Sequence, residues 1–311
     1  MNESSFQVRF WGVRGSHAAP GSRTEHYGGN TTCVEVQAGG HQIIVDAGTG
    51  IIHLGQEMVR NNGDKPIVAT ILFTHGHHDH TQGFLFFAPS YRGSTTLYIH
   101  GPMAFQQTLE ESMAGSMMPP FSPVALHELP SRLSIRNISE RDYLLFQEGT
   151  REPRLDDQFH PTLTQGSNDV RVDVHRSYAH PKGGVLVFRI SHADRSLVFA
   201  TDVEGYSGGD RRLINFARGA DYLIHDSQYE IEEYLSPSKT TQGWGHSTWE
   251  MATDVARQAG VSNLILTHHD PFHDDRQIEA IEVKARARFP RSTAAREGMV
   301  IDLVSRKICS Q

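Results

Sequence analysis

Apolar residues along this chain fall mainly into short runs divided by turn residues, the spacing of strands rather than of long helices. In the first third the runs are FQVRFWGV at 6–13, TCVEVQA at 32–38, HQIIVDAG at 41–48 and IVATILFT at 67–74. Between them, the segment from Ile51 to Arg60 carries Ile51, Ile52, Leu54, Met58 and Val59 in a loosely helical pattern. TLYIHG at 96–101 reads as a further strand, and PMAFQQTLEESM at 102–113 as a helix with Pro102 in its tolerant first turn.

Residues 114–169 are rich in Pro, Gly, Ser and Asp and read as loops around one or two strands such as LSIRNI. A cap or substrate rim is one reading of this region, an ordinary surface excursion the other. Met117 and Met118 are read first as core residues and second as pocket lining. The strand pattern resumes with DVRVDVHRS (169–177), GVLVFRIS (184–191), SLVFATD (196–202), DYLIHD (221–226), LILTHH (264–269) and MVIDLV. A helix is expected from Ser247, where Ser247 to Glu250 spell the S-x-x-E of a capping box, and another from Asp275 to Phe289. No short repeat and no dividing linker interrupts this order. The expectation is therefore a single domain over 1–311 in which two sheets pack face to face with helices outside.

Composition narrows the function. A formal charge of -7 over 311 residues argues against nonspecific attraction to nucleic acid, which depends on clustered Lys and Arg. The two cysteines, Cys33 and Cys309, make neither a CxxC pair nor a disulfide framework and read as free thiols, Cys33 buried near a strand. With neither a signal-like start nor a run of about 18 apolar residues, a cytoplasmic protein with no membrane partner is expected. The 19 histidines are the compositional oddity.

Several of them gather in HGHHDH, where His75, His77, His78, Asp79 and His80 follow directly on a buried strand. Imidazole and carboxylate are the ligands that zinc and its neighbours prefer, and strand ends hold such side chains without ordering a long loop. A histidine-rich polar turn is the bland reading, and five ligand-type residues in six positions weigh against it. One cluster does not complete a site. His180 after DVRVDVHRS, Asp202 at the end of SLVFATD, and His268 with His269 at the end of LILTHH repeat the same arrangement of an apolar strand closing on His or Asp.

HGHHDH, a distant His, an Asp closing an apolar strand and a terminal TH together resemble the metallo-β-lactamase fold superfamily of metal-dependent hydrolases. DAGTG, from Asp46 to Gly50, is similar to the superfamily's Asp-x-Gly turn. The resemblance implies an α+β fold, an αββα sandwich of two mixed β-sheets. It assigns His75, His77 and His180 to one divalent ion and Asp79, His80 and His268 to a second, with Asp202 bridging. Zinc is the expected metal, and manganese or iron suits the same ligands. Water held between the two ions would be activated for hydrolysis. His268 is chosen over His269 because it follows Thr267 directly; His269 is then a supporting or rim residue. His78 takes the variable position, and Asp46 reads equally as a partner orienting a ligand imidazole and as a turn former.

The stretch from 221 to 271 resembles the ribonuclease Z branch, with an acidic residue after a strand, a GHST segment and the terminal TH in that order. The acidic position is Asp226, where that branch usually has glutamate; its partner is His246. The resemblance gives His246 the role of donor to a phosphoryl oxygen or leaving group, with Asp226 holding the ring and Asp79 counted among the catalytic residues. The competing reading packs His246 between Trp244 and Trp249 as a structural histidine. Branch members that process tRNA carry a basic arm between the fourth histidine and the bridging aspartate. Here His180 and Asp202 are 202 - 180 = 22 positions apart, room for a hairpin only.

The reading is thus a phosphodiesterase acting on a small, cyclic nucleotide, with nucleic acid disfavoured and a homodimer implied by analogy. The alternatives are tRNA 3′-processing, hydrolysis of a lactone or thioester without need of Asp226 and His246, and a silent sensor. Arg14 and Asn30 are read either as a rim meeting the phosphate or a neighbouring subunit, or as plain turn residues. Tyr178, Tyr206 and Phe272 are read as core residues first and as platforms for a base second.

Overall fold

The computed structural model describes residues 5–206 and 208–310. Two eight-stranded mixed sheets face each other, with helices on both outer surfaces. The first sheet contains β1 (Phe6–Gly12), β2 (Cys33–Ala38), β3 (His41–Val45), β4 (Ile67–Leu72), β5 (Thr95–Gly101) and β6 (Arg132–Asn137) side by side in chain order. The second takes β7 (Asp142–Phe146), β8 (Arg154–Asp157), β9 (Val170–Ser177), β10 (Val185–His192), β11 (Arg195–Ala200), β12 (Tyr222–Asp226), β13 (Asn263–Thr267) and β14 (Ser292–Ala294). The chain then returns to the first sheet, where β15 (Met299–Asp302) pairs antiparallel with β1 and β16 (Lys307–Ser310) closes the edge.

Both faces of each sheet are covered, so the strands read as continuous apolar runs instead of alternating ones. On β3, Ile43 and Val45 join the core between the sheets, with Phe10, Leu72, Phe188 and Phe199. Ile44 between them points outward into a second core under α1 (Gly50–Asn62). A third core lies outside the second sheet, where Ala252, Val255, Ala256 and Ala259 of a helix at Trp249–Ala259 meet Leu223 and Leu266.

Topology gathers the chemistry at one edge. β3, β4 and β5 run parallel in the first sheet, as do β11, β12 and β13 in the second, so their C-terminal ends align. In open sheets with parallel strands, ligand sites form at those ends. Residues 132–157 contribute β6 to one sheet and β7 and β8 to the other.

Two local expectations are corrected, and one open alternative, that of Arg14 and Asn30, is decided for the turn. After the one-turn α2 (His78–Thr81), the helix expected at 102–113 starts later, as α3 at Leu109–Ser116, because Thr108 and Glu111 form a capping box and Phe105 and Gln106 turn through positive φ. The helix at 249 is capped by Thr248, whose side chain accepts from Met251 N–H. Ser247 instead ties two loops, donating to the Val203 carbonyl and accepting from Gly205 N–H. Arg14 does not reach a rim: it is fully buried, and its guanidinium donates to the carbonyls of Gly28, Asp270 and His273. Asn30 spends its side-chain amide on Glu297.

Candidate metal centre

Three side chains reach the site from turns of one kind. Asp46 follows β3, Asp202 follows β11 by two positions and His268 follows β13, and all three are left-handed, with φ of 61°, 55° and 61°. Non-glycine residues pay for that conformation, and such turns cluster where the surroundings over-determine a functional geometry. Each turn swings its side chain back over the strand ends. His75, His77, Asp79 and His80 arrive on the short segment after β4, and His180 on the turn after β9.

The side chains form two groups. His75, His77 and His180 make the first; Asp79, His80, Asp202 and His268 make the second. Asp202 stands between them: its Oδ2 is 3.1 Å from His80 Nε2 and 3.3 Å from His268 Nε2, and its Oδ1 is 3.8 Å from His75 Nε2. Asp79 Oδ2 lies 3.2 Å from His80 Nε2 and 3.3 Å from His268 Nε2.

What the other ring nitrogens do tests whether a cation fits. His75 Nδ1 meets Thr74 Oγ1 at 3.0 Å, and that hydroxyl donates onward to Asp46. His80 Nδ1 donates to Asp46 Oδ2 at 2.8 Å, His180 Nδ1 to the Gly245 carbonyl at 3.2 Å, and His268 Nδ1 to Gln228 Oε1 at 3.1 Å. With Nδ1 of each ring anchored outside, Nε2 of His75, His80, His180 and His268 turns inward. His80 and His268 Nε2 are 3.3 Å apart, His180 Nε2 and His77 Nδ1 are 3.2 Å apart, and His75 Nε2 has no hydrogen-bond partner. Imidazole nitrogens converging at these spacings, with His75 Nε2 buried and unpartnered among them, suit a shared cation. Metal–nitrogen bonds of about 2.0–2.1 Å at tetrahedral angles put two nitrogens roughly 3.3 Å apart. The donor set fits divalent cations.

The electrostatics agree. Burial opposes charge at Asp79 and Asp202, yet the surrounding imidazoles hold both carboxyls well below the usual carboxylate range. Burial also opposes charge on His80, but Asp202, Asp79 and Asp46 together raise its pKa well above the ordinary value. The pocket thus demands positive charge among its carboxylates. His75, His77 and His180 are pushed down, chiefly by burial, as suits neutral ligands.

Beside these groups stands the pair Asp226 and His246. His246 Nδ1 donates to Asp226 Oδ2 at 2.9 Å, and its ring stacks on His268 with centroids 5.0 Å apart. Asp226 also accepts from the backbone N–H groups of Asp202, Gln228 and Ser247. Burial disfavours a charged His246, but Asp226 outweighs it and lifts the ring to about 9. Trp244 is 54% exposed, and the rings His246 meets are those of His180, Tyr229 and His268. A third group of possible ligands joins Asp226 and His246 to Asp202 and His268. Its His246 Nδ1 is already spent on Asp226.

Other predicted residues fall as follows. His269 is buried and donates Nε2 to the Ala295 carbonyl. His78 is exposed and points away from both groups, into an apolar hollow. Tyr178, Tyr206 and Phe272 are 62%, 56% and 69% exposed, so the core reading is wrong for each: they sit on loops next to site residues. Sequence reasoning missed Gln228 and Ser16. Ser16 N–H donates to Asp79 Oδ2 at 2.8 Å from a left-handed turn, and Gln228 Nε2 reaches Ser16 Oγ at 3.3 Å. The Gly-Ser pair in WGVRGSH was the available signal for the turn; nothing local marks Gln228.

Comparison with known proteins accords with this geometry. A family model described as a beta-lactamase superfamily domain matches residues 41–269. Ribonuclease Z of Mycobacterium sp. (strain KMS) is 26% identical over 267 residues, covering 82% of this chain and 84% of that protein. The metallo-beta-lactamase fold protein YhfI from Bacillus subtilis superposes with a TM-score of 0.64 at 18% identity, covering 96% of this chain and all of that one. A diphosphatase from the PhnP family gives 0.61 at 14% identity, over 98% of this chain and 100% of that one. At such identities the two structures speak for the fold.

Proposed function

Since the chain belongs to the metallo-β-lactamase superfamily, on its ribonuclease Z-like side, we propose that it is a binuclear metal-dependent phosphodiesterase acting on a small, cyclic nucleotide. His75, His77 and His180 would hold one cation, Asp79, His80 and His268 the other, and Asp202 would touch both. Bound there, two divalent ions, zinc foremost, supply Lewis acidity and neutralise charge developing at phosphorus.

The observation that carries the reading is the bond from His246 to Asp226, set directly beside the ligand groups. Asp226 fixes one ring nitrogen of His246 and thereby aims the other. A phosphodiester lying against the site meets an imidazole able to give a proton to the departing oxygen, and Asp226 stabilises the charged ring before transfer. Hydrolysis of a carbon ester or lactone has less need of this pair. The fixed N–H groups around Asp226 keep its carboxylate from turning away.

Two features favour a small substrate. The chain between His180 and Asp202 is taken up by the β10–β11 hairpin, so no basic arm lies there, and the formal charge is -7. Kinship with proteins named ribonuclease Z supports a second reading, cleavage of precursor tRNA. Among the described residues no helix is long and apolar enough to cross a membrane. We take the protein to work in the cytoplasm as a homodimer, which sedimentation will test.

The deciding experiment assays zinc- and manganese-loaded protein side by side on bis(p-nitrophenyl) phosphate, cyclic nucleotides, a tRNA precursor, a lactone and a thioester. Turnover of the diesters is expected, and His246→Ala should lower kcat by about 10²- to 10⁴-fold with metal content unchanged. Undiminished diester turnover in that variant refutes the proton-donor role; exclusive turnover of the lactone or thioester refutes the substrate class.

A further inference from the structure

HGHHDHT, residues 75–81, has two faces. His75, Asp79 and His80 turn toward the ligand groups, while Gly76, His78 and Thr81 line a separate hollow of about 580 Å³. Its walls are apolar. Phe84 and Leu85 stand on one side, and Met113, Met117 and Phe121 on the other, carried by α3 and the turn that follows it. This is the roof of the core beneath the first sheet's helices, left open.

The volume falls within the range of small-molecule sites, about 300–1,000 Å³, and so does the character: apolar walls with a few polar groups at the edge, here His78, Gln82 and Ser112. Gly76 lies between His75 and His77, and a Cβ added to it would meet no atom within 4 Å. The backbone is therefore bare at the point where the hollow and the ligand groups share a wall. Phe121 is 79% exposed and Met118 49%, an unusual outlay of apolar surface beside a polar site.

The geometry points to a subsite for a flat ring carried on the alcohol portion of the phosphodiester, the base of a cyclic nucleotide or the aryl group of a model diester, received between the Gly76–His78 backbone and α3. The inference rests on the phosphodiesterase reading and deepens it. With the phosphoryl group at His75 and His77, the substituent passes over Gly76 into the hollow, and His78 stands beside its path. A diester with only small alkyl groups leaves the hollow wet and loses that contact.

The test uses calorimetry on zinc-loaded protein with diphenyl phosphate and dimethyl phosphate as probes. Diphenyl phosphate should bind at least about tenfold more tightly, the order of effect expected from burying one ring. Ser112→Trp, made at an exposed position of α3, places an indole in the hollow. It should weaken diphenyl phosphate about tenfold and leave dimethyl phosphate unchanged. Phe121→Ser, on the turn that follows α3, should weaken the same probe several-fold by removing apolar wall without adding bulk, a second readout. Equal affinity for the two probes, or insensitivity to both substitutions, overturns the subsite. Turnover of bis(p-nitrophenyl) phosphate by the unsubstituted protein is scored separately, so the subsite and the phosphodiesterase reading fail by different results.

Discussion

Asp46 Oδ2 lies 2.8 Å from His80 Nδ1, and neither side chain is reached by solvent. The same carboxylate accepts from Thr74 N–H and Thr74 Oγ, so one buried group fixes the exit of β4 and the tilt of a ring. Asp46→Asn retains a residue type that tolerates the left-handed turn but weakens the acceptor. Zinc affinity should fall about 10- to 100-fold, as for other partners of ligating histidines, while far-ultraviolet circular dichroism stays unchanged. Elemental analysis after dialysis against graded chelator measures this, and equal retention would remove Asp46 from the site.

Gln228 does for His268 what Asp46 does for His80, and also holds Ser16 Oγ and Tyr229 Oη. Gln228→Leu removes the acceptor at similar volume and should weaken zinc retention about tenfold. Gln228→Glu keeps an acceptor at Nδ1 and should retain the metal. Identical behaviour of the two variants would assign Gln228 a packing role only.

Gly245 has φ of +92°, and a Cβ there would fall 2.0 Å from His180 Nδ1. Gly245→Ala therefore meets both backbone strain and a clash with a ring. A loss of about 1–3 kcal/mol in urea denaturation is expected, together with earlier release of one of two bound ions on titration with chelator. An alanine variant of full stability would show that the loop has room to retreat.

His100 is 2% exposed with neither ring nitrogen partnered, and burial pushes its pKa down to about 4. Its proton is therefore bound by the unfolded chain at a pH where the folded chain refuses it. This one group costs nothing above pH 6.5, and stability falls as pH drops from there toward 4. By pH 4.5 the loss amounts to about 2–3 kcal/mol. His100→Leu should remove that slope, so that urea midpoints measured at pH 7 and 4.5 differ less in the variant than in the parent protein. An unchanged difference would place the acid sensitivity at other histidines.

Much of the fold was legible because both faces of most strands are buried: runs such as IVATILFT and SLVFATD announce themselves without long-range information. The helix beginning at Leu109 was misplaced because the apolar spacing of PMAFQQ outweighed the Thr108 cap, a contest that backbone geometry decides. HGHHDH was legible because its residues are adjacent, and His180, Asp202 and His268 because each closes an apolar run. Ser16 gains its meaning from Asp79, 63 positions on, Gln228 from His268 and Ser16, 40 and 212 positions away, and Arg14 from Asp270, 256 positions away. No periodicity encodes such meetings. Exposure of Tyr178, Tyr206 and Phe272 was equally hidden, since aromatic residues in loops look alike whether they face inward or out.

The pairing of β1 with β15 sets Val8 opposite Ile301. These partners are 301 - 8 = 293 positions apart, so on a ribosome the first strand is made long before its outer neighbour emerges. Until then the nascent polypeptide exposes an unpaired strand edge, a surface that invites annealing with other chains. Chaperone occupancy of this protein should accordingly persist until β15 has emerged to cover that edge.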